Sequence, residues 1–364
     1  MTFKKILFLT SPAGPIGSGE GGGVETNLIN LAPLLNSKGY EVAIIAPEGS
    51  IEFHPNIKIY QVPGVLPVYA CTAEALGPNL VDSEGVVRRM WQKAKELETN
   101  YDIIVGINYD WIAYYASTFF SKPVGHIISI CSQIKHVDEI IGEIYKTHPS
   151  RLAVNTLAQG ETFGFGKEVV PLYGGINVHD YEFNLYPQRR LSWVARISPE
   201  KGLEDAFEVS QFLGLPLDIC GKMQDTAYFE SIINKYPKAE FVYHGFKSQA
   251  EVAEIVKNSM AMLMTPHWVE AFGNTCIEAM ACGTPVIAYN QGGPSEIIND
   301  GLNGFLVETK NTKDLIAAVE KAQTLNRFNA RLRAFDFTLE KMAERYLDWM
   351  GFVIAADRDS VRVS

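Results

Sequence analysis

The sequence predicts an α/β protein: two doubly wound, Rossmann-like domains in tandem, facing one another across a ligand cleft. Three observations carry this. The chain has 364 residues, enough for two cores of ordinary size. Short apolar runs alternate with stretches of helical period from Ile6 to Asn155, and do so again from Leu191 to Val307. Between these series, from Pro171 to Pro187, the chain reads P-L-Y-G-G-I-N-V-H-D-Y-E-F-N-L-Y-P, glycines and polar residues that suit an interdomain connection. The expected boundaries are 1–180, 181–337 and a closing helix and tail at 338–364.

In chain order, Ile6–Thr10 is a first buried strand, and the glycine-laden loop S-P-A-G-P-I-G-S-G-E-G-G-G-V-E follows. A helix from Val24 to Ser37 stops at Gly39, and Val42–Ala46 supplies the next strand, which makes a βαβ opening. Further strands are expected at 57–62, 103–106, 124–130 and 152–155. Pro63 to Asp82 is Pro/Gly-rich and irregular, suited to an acceptor-side loop. In the second series, strands are expected at 191–195, 217–220, 240–243, 260–264, 285–288 and 304–307. Helices at 203–213, 249–257 and 313–322 alternate with them. Near the end, Leu339, Met342, Ala343, Tyr346 and Leu347 form one helical stripe, and the resemblance given below implies that this helix returns to the N-terminal domain.

The stretch richest in chemistry is Thr265–Gly283, T-P-H-W-V-E-A-F-G-N-T-C-I-E-A-M-A-C-G. Pro266 ends the strand M-A-M-L-M, and a helix starts at Asn274 and stops near Gly283. The turn between them aims backbone N–H groups and the positive end of a helix dipole at a crevice, which makes an anion site. Glu270 in the turn and Glu278 in the helix bracket it. That arrangement suits a nucleotide-sugar: diphosphate on the amides, ribose on one acid, hexose on the other. Arg196 and Lys201, in A-R-I-S-P-E-K-G, stand at the carboxyl end of the first strand of the second series, where an arginine can clamp phosphate and a lysine can meet a departing one.

Composition narrows the classes. A net charge of −10 argues against a general nucleic-acid binder and requires any anionic ligand to be met by local cations. Five cysteines without a C-x-x-C suggest a reducing compartment, with Cys276 and Cys282 as small core residues. The N-terminal apolar run of about five residues is too short for a signal peptide. No stretch approaches the roughly 20 apolar residues of a membrane span. The expectation is a cytoplasmic protein. The seven histidines lack metal-ligand spacing, so neither a metal nor a cofactor is expected. Gly17, Gly19 and Gly22 spell G-x-G-x-x-G, but Gly17 stands seven positions beyond Thr10, too far for the dinucleotide fingerprint. Asp357 and Asp359 form a D-x-D remote from any strand end and read as a coincidence of the tail. Arg327, Arg331 and Arg333 could touch a membrane surface weakly, though a solvated helix face accounts for them better.

Together, A-R-I-S-P-E-K-G, E-A-F-G-N-T-C-I-E-A-M-A-C-G-T-P-V-I-A, G-G-G-V-E and F-T-L-E-K-M-A-E-R-Y resemble the retaining glycosyltransferases of family 4, which have the GT-B fold. The likeness spans the whole chain. It implies an acceptor-binding N-terminal domain, a nucleotide-sugar-binding C-terminal domain and a hexosyltransferase that needs no metal. By it, Glu270 holds the donor hexose, with Ala271, Phe272, Gly273 and Asn274 beside it. Thr275, Gly22 and Gly23 touch phosphate, Glu278 takes the ribose, and Gly245–Phe246 receives the base. Where many members carry a histidine at the end of the fifth N-terminal strand, K-P-V-G-H-I-I-S has Ser129, with His126 three residues earlier. The opening loop and this stretch look closest to a cyanobacterial subgroup that moves glucose from UDP-glucose to a tetrahydropterin or an envelope polysaccharide. The alternatives are a nucleotide-sugar epimerase of the same fold and an NAD-dependent oxidoreductase.

Overall fold

A computed structural model describes residues 3–19, 21–67 and 84–363. Most of the stretch expected as an acceptor-side loop, Pro63 to Asp82, lies outside the described residues. The chain divides into two units, Met1–Gly175 with Leu339–Ser364, and Ile176–Thr338.

Among the described residues the first unit holds a parallel sheet of Lys5–Leu9 (β1), Glu41–Pro47 (β2), Lys58–Val62 (β3), Ile103–Asn108 (β4), Val124–Ile128 (β5), Leu152–Val154 (β6) and Val170–Pro171 (β7). Their order is β3-β2-β1-β4-β5-β6-β7. Ile6, Leu7 and Phe8 have no exposure at all, because a parallel strand covered on both faces must be apolar on both. The order reverses between β1 and β4, which places the β1 loop and the β4 end side by side at the carboxyl edge. The closing helix, Leu339–Val363, belongs to this unit and buries Met342, Ala343, Tyr346, Trp349 and Val353 in its core. Trp349 packs where Gly125 has no side chain, and its indole N–H donates to Ser150 O at 3.0 Å. Asp357 pairs with Arg151 at 2.8 Å, which gives that carboxylate a structural employment within the unit.

The second unit repeats the plan: Gln188–Val194 (β8), Leu217–Cys220 (β9), Phe241–Gly245 (β10), Ser259–Met264 (β11), Val286–Tyr289 (β12) and Gly304–Val307 (β13), all parallel, in the order β10-β9-β8-β11-β12-β13. Its reversal lies between β8 and β11, so the turns that follow these two strands are neighbours. Cys276 and Cys282 are buried in this unit. Among the described residues no helix is long and apolar enough to cross a membrane.

The arginines of the helix Arg327–Ala334 correct the sequence reading. They form neither a solvated face nor a cationic surface for a membrane, because they point inward and cap other helices. Arg327 donates to Lys257 O at the end of the helix Gln249–Lys257, and to Asn184 O, Ser259 O and Thr284 Oγ1, at 2.7–3.0 Å. Arg331 donates to Ala281 O at the end of the helix Asn274–Ala281, and to Tyr181 O. Arg333 donates to Glu296 O and Ile297 O, which close Pro294–Ile297. Helix ends leave carbonyls without intrahelical partners, and a guanidinium offers several donors in one plane to meet them. Phe328 and Leu332, between the arginines, are left 49% and 64% exposed.

Arg327→Ala strips the donor from four acceptors, and about 3–5 kcal/mol of stability should go with it. Urea unfolding followed by circular dichroism measures the loss. A change within the ~0.5 kcal/mol usual for surface substitutions would contradict the capping role.

Candidate active site

After β8 the chain runs through Arg196 into a 3-10 turn, Pro199–Lys201, and then Gly202 in left-handed conformation (φ 65°, ψ 39°). A Cβ on Gly202 would fall 2.0 Å from Thr265 O in the turn after β11, so only glycine lets the two turns approach this closely. Thr265 Oγ1 donates to Gly202 O at 2.7 Å and fixes the approach. The result is an ion pair between the turns. Lys201 Nζ lies 2.6 Å from Glu270 Oε2, with side-chain exposures of only 14% and 18%. Trp268 Nε1 donates to the same oxygen at 3.1 Å, and the ammonium sits 4.5 Å from the Trp268 ring centre. Burial pushes the Glu270 carboxyl up, but Lys201, Trp268 and Arg196 together outweigh it and hold the group below its ordinary value. Arg196 itself donates to Gln224 Oε1 at 2.6 Å and contacts Glu200.

The loop after β12 braces this turn from behind. Gln291 Nε2 donates to Pro266 O and Trp268 O at 2.6 and 2.9 Å, and Gly293 N donates to Glu270 O at 2.7 Å. Next in the chain, Phe272 is buried with its ring against Phe337, and its backbone packs against Gly293, where a Cβ would fall 1.9 Å from Phe272 O. Gly273 (φ 100°) starts the helix Asn274–Ala281, having no side chain with which to cap the first turn. Ala271, Asn274 and Thr275 flank that start. Thr275 and Glu278 line one cavity with Tyr181, Val194, Gln249 and Val252. Gln249 Nε2 donates to Glu278 Oε1 at 3.2 Å and also to Tyr181 OH. Burial lifts the Glu278 carboxyl to about 7, with Gln249 working against it. Gly245 ends β10, and Phe246 beyond it is 66% exposed.

The remaining candidates stand in the first unit. Gly22 and Gly23 open the helix Gly22–Ser37, whose Glu25 accepts from Gly17 N at 2.6 Å and Gly21 N at 3.2 Å. His126, weighed as a possible cleft residue against an ordinary core role, takes the core role. It lies within β5, not at its end, wholly buried between Trp91 and Tyr114 with ring centres 5.5 and 4.8 Å away. Burial drives its imidazole down to about 3, so it stays neutral and offers no base at the surface. Ser129 follows the strand's end, half-buried, with its N–H on Asn108 O. Trp268, Gln249, Tyr181 and Gln291 went unnoticed in the sequence. Only the Q-G-G after β12, at another carboxyl strand end, carried a signal that could have found one of them.

Residues 187–335, nearly the whole second unit, match the family model described as glycosyl transferases group 1. The match covers about two fifths of the chain and leaves the first unit outside it. An uncharacterized glycosyltransferase of Methanocaldococcus jannaschii is 30% identical over 152 residues, covering 40% of this chain and 41% of that protein. A probable sucrose-phosphate synthase of Thermosipho melanesiensis is 26% identical over 290 residues, 77% of this chain and 63% of that one. The chain thus spans under two thirds of either relative's length. Among solved structures, Anabaena HepE in complex with UDP and glucose superposes with a TM-score of 0.74 at 19% identity, over 96% of this chain and 99% of that one. That likeness shows the fold, the two Rossmann-like domains of GT-B enzymes.

The raised Glu278 carboxyl has a signed consequence. The folded protein binds that proton more tightly than the unfolded chain, so stability is lost as pH rises from about 4.5 to about 7. Glu278→Gln escapes this loss. The variant should match the parent near pH 4.5 and exceed it by roughly 1–3 kcal/mol at pH 8, read by urea unfolding at the two pH values. A gain of equal size at both would contradict the assignment.

Proposed function

We propose that the protein is a retaining hexosyltransferase that moves glucose from UDP-glucose to a hydroxyl acceptor, a tetrahydropterin or a saccharide, without a metal ion. The observation that carries this reading is the Lys201–Glu270 pair at the switch point of the second sheet, with Glu278 on the helix that follows. In this reading the diphosphate lies against Arg196, Lys201 and the first turn of Asn274–Ala281. Glu278 accepts from the ribose hydroxyls and Glu270 from the hexose. The likeness to HepE in complex with UDP and glucose and to a probable sucrose-phosphate synthase favours a glucosyl donor of this kind.

Breaking the bond from glucose C1 to the phosphate oxygen sends an electron pair to UDP, and the cations meet the charge that gathers there. The glucosyl centre becomes cationic and flattened, and the Glu270 carboxylate faces it. The acceptor hydroxyl attacks from the side that UDP leaves, so configuration is kept, and its proton passes to the departing phosphate. Such a path needs no pair of carboxylates arranged as in a retaining glycosidase.

Slow release of UDP from UDP-glucose, undiminished by EDTA, is the expected activity in the absence of acceptor. Lys201→Ala and Arg196→Ala should each lower it by roughly 30- to 1000-fold, equivalent to about 2–4 kcal/mol of transition-state stabilisation. Normal rates in both variants would put the phosphate site elsewhere. Absence of both hydrolysis and donor binding in the parent would end the transferase reading.

A further inference from the structure

His267 stands in the turn between β11 and Glu270, and the reaction as written does not use it. Its side chain is 17% exposed. Its Nε2 lies 2.7 Å from Asp205 Oδ2, in the first turn of the helix Leu203–Leu213, and Tyr289 OH at the end of β12 donates to the same carboxylate oxygen. On the other side of the ring, Nδ1 lies 3.6 Å from Glu204 Oε1, while Tyr228 OH donates to Glu204 Oε2. The main chain joins in, since His267 N donates to Glu200 O at 2.8 Å.

These contacts occupy a particular place. Asp205 follows Lys201 by one turn of chain, and His267 precedes Glu270 by three residues. The His267–Asp205 bond therefore ties the two turns together directly behind the Lys201–Glu270 pair. A Cβ on Gly202 would fall 2.9 Å from the His267 ring, so imidazole and Lys201 turn are in close contact. Asp205 is itself buried and anchored by Tyr289, so the ring is held to a fixed point.

We propose that His267 is a positioning residue: clamped to Asp205, it sets the register of the Lys201 turn on the Glu270 turn and makes that register respond to pH in the neutral range. The groups that face the imidazole are Asp205, Glu204 and Tyr289, with Lys310 acting against them and Lys201 and Glu270 on the site side. The Asp205 hydrogen bond raises the proton affinity of His267 above its ordinary value. Burial opposes this, and the charges of Asp205 and Glu204 add to it. The sign follows. The charged clamp is complete below the ordinary histidine range and loosens as pH climbs through the raised value. Two carboxylates in the first turn of a helix then keep the helix dipole and the Tyr289 and Tyr228 hydroxyls but lose the imidazolium charge.

The effect on turnover rests on the transferase reading, whereas the register itself does not, and the test separates them. Trp268 donates to Glu270 and lies under Lys201, so it reports on the pair. The 364-residue chain carrying 5-fluorotryptophan gives five resonances, one per tryptophan, and Trp268→Phe identifies the one that matters. In the parent that resonance should move through a titration that lies above the ordinary histidine range. In His267→Gln, which keeps a donor and loses the charge, it should stay still while the other four hold their shifts. An unchanged titration in His267→Gln overturns the proposal.

In the transferase assay His267→Gln should lose about tenfold in kcat at pH 6.5 and lack the parent's alkaline decline, with UDP affinity within about twofold. A loss confined to UDP affinity overturns the positioning role. If His267→Gln fails to fold, Asp205→Asn, which removes the hydrogen-bonded carboxylate and keeps the imidazole, should move the Trp268 titration to lower pH, and an unmoved titration overturns the proposal. If the parent transfers nothing, the Trp268 titration alone decides.

Discussion

The ion pair between Lys201 and Glu270 is the interaction on which the site depends. Both side chains are largely withdrawn from water, and each would be costly there without the other. The sheet order makes the pair possible, because reversal between β8 and β11 leaves their following turns side by side with no strand between them. Gly202 then lets the backbones close up, and the Gln291–Gly293 loop fixes the far side of the Glu270 turn. The same proximity that pairs the charges is what the proposed chemistry uses. A diphosphate arriving beside Lys201 competes with Glu270 for the ammonium, and the carboxylate it partly releases is the one assigned to the sugar.

Charge is handled differently in the rest of the unit. The chain is acidic overall, yet three of its arginines are spent indoors on the carboxyl ends of three helices, one of which is the helix carrying Glu278. Arg331 holds the end of Asn274–Ala281 while the site occupies its start. The helix that carries Glu278, the carboxylate we assign to the ribose, is therefore fixed at its carboxyl end.

Much of the fold was legible because buried parallel strands are apolar without interruption and their helices are amphipathic. The strands Leu217–Cys220 and Gly304–Val307 and the helices Leu203–Leu213 and Gln249–Lys257 fall where their patterns put them. Glu270, Arg196 and Lys201 were legible for a related reason: each follows a strand, where a doubly wound sheet presents its turns to ligands. What the sequence concealed was pairing over distance. Gln249 meets Glu278, and Tyr181 meets Gln249, through folding of segments far apart in the chain. A run of arginines looks the same whether it faces water or helix carbonyls, so Arg327, Arg331 and Arg333 were misread. His126 could be read as a cleft residue or as core, because nothing in the sequence says that Trp91 and Tyr114 pack against it.

The central claim is that two carboxylates at one switch point have separate tasks, Glu278 for a part of the donor that does not react and Glu270 for the part that does. Calorimetric titration with UDP, which has the ribose and lacks the hexose, tests it most directly. Glu278→Ala should weaken UDP by about 1.5–3 kcal/mol, and Glu270→Gln should leave UDP affinity nearly unchanged while turnover collapses. Equal weakening of UDP by the two substitutions would contradict the account.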